Sequence, residues 1–321
     1  MSAQPTQTHF IVLGDVMVDT FARTRTDITH GFDHPAAVSR HIGGQAANTA
    51  AWLAWLRTSV TLIAACGADS AGTWVREQLA DTGVTPLLHE VAQPTGSCIV
   101  IVDGAGERTM FSDPGANQQV SDLAVRQLSE ALAAANSPTH VHLSGYLLER
   151  DPQLPRALVE SARIHNPDVT TSMDTAALPP APSHTAGLLR ALPFLDVLIG
   201  TQHELAEIAG CAENPGVDRT LESVVLDHWR TALGFSGVIV MKQGHHGATV
   251  DTTTQRHHAA APKVHVVDTT GAGDAFSAGF LAAWTTDQRN LAGALGSGAQ
   301  AAATAIAHLG AGPASDGPTT A

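Results

Sequence analysis

The chain predicts a three-layer α/β/α fold, a mainly parallel sheet covered by helices on both faces, with a small extra sheet projecting from the main layer. Two observations carry this. Short apolar runs alternate with amphipathic helical patterns through most of the 321 residues, the alternation that builds βαβ units. Two segments, about 17–41 and 95–112, break it with β-branched and aromatic residues that follow no helical period. No repeat or long linker divides the chain, so one domain is expected over 9–312, between disordered tails at 1–8 and 313–321.

Residues 10–13 read as the first strand, 44–56 as a helix, 60–65 as a strand and 71–81 as a helix. Apolar runs at 141–144, 169–173, 197–199 and 237–241 continue the strands, with helical patterns near 121–135, 153–165, 203–209 and 218–233 between them. A strand at 264–267 is expected to feed two alanine-rich helices, 274–285 and 290–308. Within the second irregular segment, Asp103-Gly104-Ala105-Gly106 reads as a turn between strands 97–102 and 108–111. The two irregular segments are either that projecting sheet or plain hairpins capping the core.

Composition narrows the function classes. A chain 44% hydrophobic and 15% charged is an ordinary globular protein. A formal charge of −13 without a Lys/Arg cluster argues against nucleic acid or an anionic membrane as the main partner. Cys66, Cys98 and Cys211 are odd in number and form no C-x-x-C pair, so neither a disulfide framework nor a zinc site is suggested and a reducing cytoplasm fits best. Residues 1–8 lack a basic, then apolar, leader pattern, and no apolar run reaches about 18 residues, so export and membrane insertion are not expected. Of the 17 histidines, His245-His246, His257-His258 and His140-x-His142 invite a metal reading. Adjacent pairs point different ways, so no histidine metal site is expected.

The most informative stretch is 266–280, V-V-D-T-T-G-A-G-D-A-F-S-A-G-F. It reads as a strand end, a Thr/Gly-rich turn and a helix start with Asp274 in the first turn. N–H groups at a helix start lack intrahelical partners and carry the positive end of the dipole, so Gly271, Ala272 and Gly273 can press bare donors against a phosphate. Asp274 beside that hole can take the proton of an attacking hydroxyl. The plain alternative is a βα turn whose glycines relieve strain. No G-x-x-x-x-G-K-[ST], no H-R-D and no G-x-G-x-x-G after the first strand competes.

D-T-T-G-A-G-D-A-F-x-A-G-F resembles the C-terminal signature of the ribokinase-like (PfkB) carbohydrate kinases, and Gly43-Gly44-Gln45-Ala46-Ala47-Asn48-Thr49-Ala50 resembles their N-terminal G-G-x-x-x-N-x-A. Gly67-x-Asp69-x-x-Gly72 and Gly115-Ala116-Asn117 match further landmarks, so the resemblance covers about 10–311. It implies a ribokinase-like (Rossmann-like) fold whose small sheet is a lid over the sugar, often a dimer contact, and an ATP- and Mg2+-dependent sugar kinase.

On the acceptor side the expectation names Asp19, Gly43, Gly44 and Asn48: a carboxylate accepts two hydroxyl donors, the glycines admit a hydroxyl to the backbone, and Asn48 offers donor and acceptor. Asp15 is as suited to shaping its turn. Arg108 in the lid is read as facing the acceptor, a phosphate or solvent. The family's magnesium motif N-x-x-E corresponds to Thr201-Gln202-His203-Glu204, with Thr201 in place of asparagine and Glu204 kept, which puts the asparagine role in doubt. The resemblance puts the nucleotide near Lys242, Gly244, Gly247 and Thr270, and a potassium-type cation near Asp268, Thr270, Ala305, His308 and Gly310. The acceptor is expected to be a small sugar. A nucleoside is the runner-up, although the chain is only 4% aromatic, and Met17 and Gln45 stand where ribokinases carry asparagine and lysine. The rival from another class is a catalytically weak sugar- or nucleotide-sensing module.

Overall fold

The structure is a computed structural model that describes residues 7–104, 108–120, 122–176, 181–211 and 220–313. Chain order begins β1 His9–Gly14, β2 Met17–Thr24, β3 Ala36–Gly43, α1 Gln45–Trp55, β4 Ser59–Gly67, α2 Ser70–Ala80 and β5 Thr85–Val91. It continues with β6 Gly96–Val102, β7 Arg108–Asp113, α3 Asp122–Ala134, β8 Thr139–Ser144, α4 Leu147–Arg150, α5 Leu154–His165, β9 Thr170–Asp174 and α6 Pro182–Ala191. β10 Val197–Thr201, α7 Gln202–Ile208, α8 Leu221–Thr231, β11 Val238–Lys242, β12 Ala248–Asp251, β13 Arg256–Ala259, α9 Ala272–Thr286 and α10 Leu291–Ala305 complete it. Ala105, Gly106 and most of the expected tails lie outside the described residues.

Nine strands form the main sheet in the order β13-β12-β11-β10-β9-β8-β1-β4-β5, parallel from β11 to β5 and antiparallel at β12 and β13. Alternation along β1 shows why both faces need helices. Phe10 and Val12 join a core with Trp52 of α1 and Phe280 of α9, while Ile11 and Leu13 join the opposite core with Leu128 of α3, Leu158 of α5 and Trp229 of α8. Among the described residues no helix is long and apolar enough to cross a membrane.

The two irregular segments form one four-stranded sheet, order β3-β2-β6-β7, rather than separate hairpins. Its β2 to β6 pairing is parallel, so residues far apart in sequence lie side by side. Phe21, Cys98, Val100 and Val102 make a core of its own on the inner face, and Val38, Ile99 and Phe111 stand exposed on the other. Two family landmarks are the joints between the sheets. Asp69 caps α2 through Gly72 N and accepts from Thr95 N and Oγ1, just before β6. The Asn117 amide exchanges both hydrogen bonds with Val16, at 3.1 and 3.0 Å.

One expected element fails. Residues 264–267 pair with no strand, and Val264, Val266 and Val267 are 39%, 52% and 41% exposed. The main sheet already ends at β13, and this segment is held from the other side, where Val267 N and Asp268 N both donate to Ile306 O at the end of α10. Alternating valines alone do not make a strand when the chain is not brought alongside a sheet edge. The buried histidines are core residues: His140 and His142 on β8 bond Thr170 and Ser172 on β9 at 2.7–2.8 Å, and burial keeps both rings neutral.

Candidate active site

Strands β1, β8, β9, β10 and β11 end on one edge of the sheet, the edge where α/β folds hold ligands. The residues at or just after those ends gather there: Asp15, Ser144, Asp174, Thr201 and Lys242. Helices α1 and α9 pack over the same edge and bring the two signatures together. Asn48 Nδ2 donates to Asp274 Oδ2 at 2.9 Å across 226 residues of sequence.

The turn before α9 is shaped by Gly271, whose φ of 73° is left-handed and whose Cβ, if present, would lie 2.5 Å from Ala311 O. That carbonyl is itself held by Trp52 Nε1 of α1 at 2.9 Å. No side chain caps α9. Ala272 N–H is diverted to Thr269 O at 3.4 Å, whereas the N–H groups of Gly273 and Asp274 have no partner among the described residues. The expected donor set is therefore shifted by one residue, because the turn consumes the Ala272 donor. The arrangement offers an anion two bare N–H groups at the positive end of a fifteen-residue helix.

Asp274, in the first turn of α9, is largely enclosed by protein. That enclosure pushes its pKa up to about 8; Asn48 and Lys242 oppose the rise, and the Asp174 and Asp15 carboxylates add to it. Beneath the turn, Lys242 Nζ contacts both Asp174 oxygens at 2.9 and 2.8 Å and lies 3.3 Å from where a Gly273 Cβ would sit. Ser277 of α9 donates to Asp174 Oδ2 at 2.5 Å. Burial works against a charge on Lys242, but Asp174 and then Glu204 hold its pKa above the ordinary lysine value. Sequence reading missed Asp174 and Ser277. The available signal was a lone carboxylate at the ligand-side end of an apolar strand.

The acceptor residues are close together but partly reassigned. Asp19 is 6% exposed, and burial, then Asp15, pushes its carboxyl up to about 7. Room at Gly43 and Gly44 is taken by the protein's own groups rather than left for a hydroxyl. A Cβ on Gly43 would fall 2.1 Å from the Asp19 carboxylate, and one on Gly44, at φ 97°, would fall 2.6 Å from Asp15 O. Asp15 shapes the turn as an external cap of α1, accepting from Gln45 N at 2.9 Å and Ala46 N at 3.3 Å, with Ser144 Oγ donating to it at 2.9 Å. Gln45 spends its amide on Ser144, Gly145 and Thr175, stitching the strand ends together.

Thr201 and Glu204 form a complete capping box on α7, and Glu204 also accepts from Thr175 Oγ1 at 2.6 Å. Threonine thus preserves a helix cap where the amide is lost. Glu204 lies in the field of Asp174 and Lys242, an oxygen-donor setting that fits a magnesium ion bound mainly by phosphates and water. Gly247 makes room for its hairpin partner, since a Cβ there would fall 2.0 Å from Ala259 O, while Gly244 faces open space.

Arg108 reaches the phosphate-side turn, not Asp19. Its Nη1 donates to Asp268 Oδ1 at 2.9 Å and Thr270 Oγ1 at 2.5 Å, and its Nη2 to Thr269 Oγ1. Asp268 also accepts from Thr270 N and Oγ1 at 2.9 and 2.7 Å and from Gly310 N at 3.0 Å. Burial favours the protonated form, but these donors and then Arg108 hold the Asp268 carboxyl below the usual range. Both oxygens being so engaged, with a guanidinium alongside, Asp268 does not fit as a ligand of a monovalent cation.

A model of the pfkB family carbohydrate kinases matches residues 7–317. An ATP-dependent ribose-1-phosphate kinase of Halopiger xanaduensis is 30% identical over 279 residues, covering 82% of each chain. Among solved structures, Arabidopsis thaliana ribokinase complexed with ribose and ATP superposes with a TM-score of 0.75 at 22% identity, covering 98% of this chain and 97% of that one. Escherichia coli phosphofructokinase-2 in complex with potassium superposes with a TM-score of 0.76 at 19% identity, covering 95% and 94%. The bare start of α9, the carboxylate beside it and these likenesses lead to one conclusion: the chain belongs to the pfkB family of carbohydrate kinases and is an ATP-dependent sugar kinase with the ribokinase-like fold.

Proposed function

We propose that this enzyme moves the γ-phosphoryl group of ATP to a hydroxyl of a small, neutral sugar. The observation that carries the reading is the Asn48–Asp274 hydrogen bond, which joins acceptor-side and phosphate-side signatures into one cleft. Asp274 takes the proton of the attacking hydroxyl, whose oxygen bonds to the γ-phosphorus as the bond to the β-phosphate oxygen breaks and ADP leaves. The N–H groups of Gly273 and Asp274 hold the transferring charge, and Lys242, steadied by Asp174, supports it from beneath. Glu204 would hold magnesium through its water shell, and the ion would neutralise polyphosphate charge.

The acidic groups on the acceptor side support a neutral acceptor. Asp15, Asp19 and Asp274 line that side, and burial followed by the carboxylates of Asp15, Asp274 and Glu204 pushes the Tyr146 phenol above its ordinary pKa. Carboxyl groups on that side suit hydroxyl donors, and an acceptor that already carries phosphate would add negative charge beside them. Exposed Val264, Val266 and Val267, the last tied to the end of α10, would supply an apolar ledge for the adenine ring. The outer lid face of Val38, Ile99 and Phe111 is the surface for a second copy. Three free thiols and the need for ATP fit a cytoplasmic enzyme.

The test is an ATP-consumption screen over pentoses, hexoses, keto-deoxy acids, sugar phosphates and nucleosides, with and without magnesium. Phosphorylated product from a free sugar supports the reading. Tight sugar binding without product points to a sensing module, and turnover confined to sugar phosphates or nucleosides replaces the acceptor.

A further inference from the structure

Arg108 stands at the start of β7 in the lid, yet among the described residues its guanidinium hydrogen-bonds Asp268, Thr269 and Thr270, 160 to 162 residues away. Asp268 is the hub of that contact. Its side chain is 4% exposed, and through Thr270 and Gly310 it ties the turn before Gly271 to the chain leaving α10. A carboxylate so enclosed needs a counter-charge. The planar, permanently charged guanidinium supplies one and leaves little room or attraction for a second cation 2.9 Å from the same oxygen.

We propose that Arg108 is the built-in counter-charge of Asp268, a positioning residue that replaces a monovalent cation there and couples lid closure to the shape of the phosphate-binding turn. The inference rests on the kinase reading for its activity arm only. Losing the guanidinium leaves Asp268 unbalanced and Thr270 unsupported, so Gly271 and the bare N–H groups after it lose their register.

The experiment compares wild type, Arg108→Met and Arg108→Lys in tetramethylammonium and in potassium, using the acceptor found by the screen. Wild type and the lysine variant are expected to turn over equally in both salts. The methionine variant should fall about tenfold or more in tetramethylammonium, the scale of a lost charged hydrogen bond, and regain most of it in potassium. Thermal unfolding without substrates is the second readout: potassium should raise the midpoint of the methionine variant and leave wild type unchanged. Severalfold potassium activation of wild type overturns the proposal. So does a methionine variant that is fully active without potassium, or one whose loss ignores potassium, whether it appears in kcat or in KM. If no acceptor is turned over, the kinase reading fails while the thermal arm still decides the role of Arg108.

Discussion

Helices α7 and α9 both begin at the ligand edge of the sheet, and their first turns are built in opposite ways. α7 satisfies itself: Thr201 and Glu204 exchange both bonds of a capping box, and Thr175 adds a third contact. α9 has a left-handed glycine at its cap and, among the described residues, no side-chain acceptor and two donors without a partner. A capped start is stable and cannot receive an anion, whereas an open start gives up about 1 kcal/mol of capping and keeps its dipole for a ligand. The stability forgone at α9 is offset from outside, by Trp52 gripping Ala311 O and by the Asp174, Lys242 and Ser277 cluster under the first turn.

Substitutions at the two helix starts test that contrast. Asp274→Ala should retain ATP binding and lose turnover by several orders of magnitude, about the scale of general-base catalysis plus positioning; near-normal kcat would remove Asp274 from the chemistry. Gly271→Ala meets both an adverse φ and the Ala311 carbonyl, so kcat should fall roughly a hundredfold as the donors shift, in line with the loss of an oxyanion-hole contact. A crystal structure of that variant should show the turn displaced.

Protonation gives a milder probe. With Asp274 raised to about 8, the kcat/KM profile of the free enzyme should climb with pH through that value, because the base acts only when ionised. Asn48→Ala removes a donor that favours the charged form, so the limb should move to higher pH. The same shift makes a stability statement. The folded state holds a proton that the unfolded state releases near 3.8, so the contribution of Asp274 is present at low pH and is lost as pH rises toward about 8. Asp274→Asn should therefore match wild type in thermal midpoint near pH 4 and exceed it increasingly toward pH 8.

At the capped start the expected change is smallest. Thr201→Ala should cost about 1 kcal/mol of stability, read as a lower midpoint in urea, with kcat within a fewfold of wild type. Thr201→Asn should keep both. A large loss of kcat from Thr201→Ala would give the threonine a part in the chemistry beyond capping.

Most of the main sheet's helices and strands, the lid segments and both signatures were legible in the order of residues, whereas α6 at Pro182–Ala191 was not read. Gly271 answers a left-handed φ, and 10–13 a strand buried on both faces. Residues 264–267 misled because valine alternation reports β-propensity but not whether the chain runs beside a sheet edge, and this segment is tied instead to the end of α10. Short β12 and β13 and the β5 edge gave too weak a period to be seen. What required tertiary structure was which charges meet. Asp174 finds Lys242 across 68 residues and Arg108 finds Asp268 across 160, and no spacing along the chain encodes such contacts. A glycine turn writes its demand into neighbouring residues, whereas an ion pair across the fold exists only once the strands and the lid are in place.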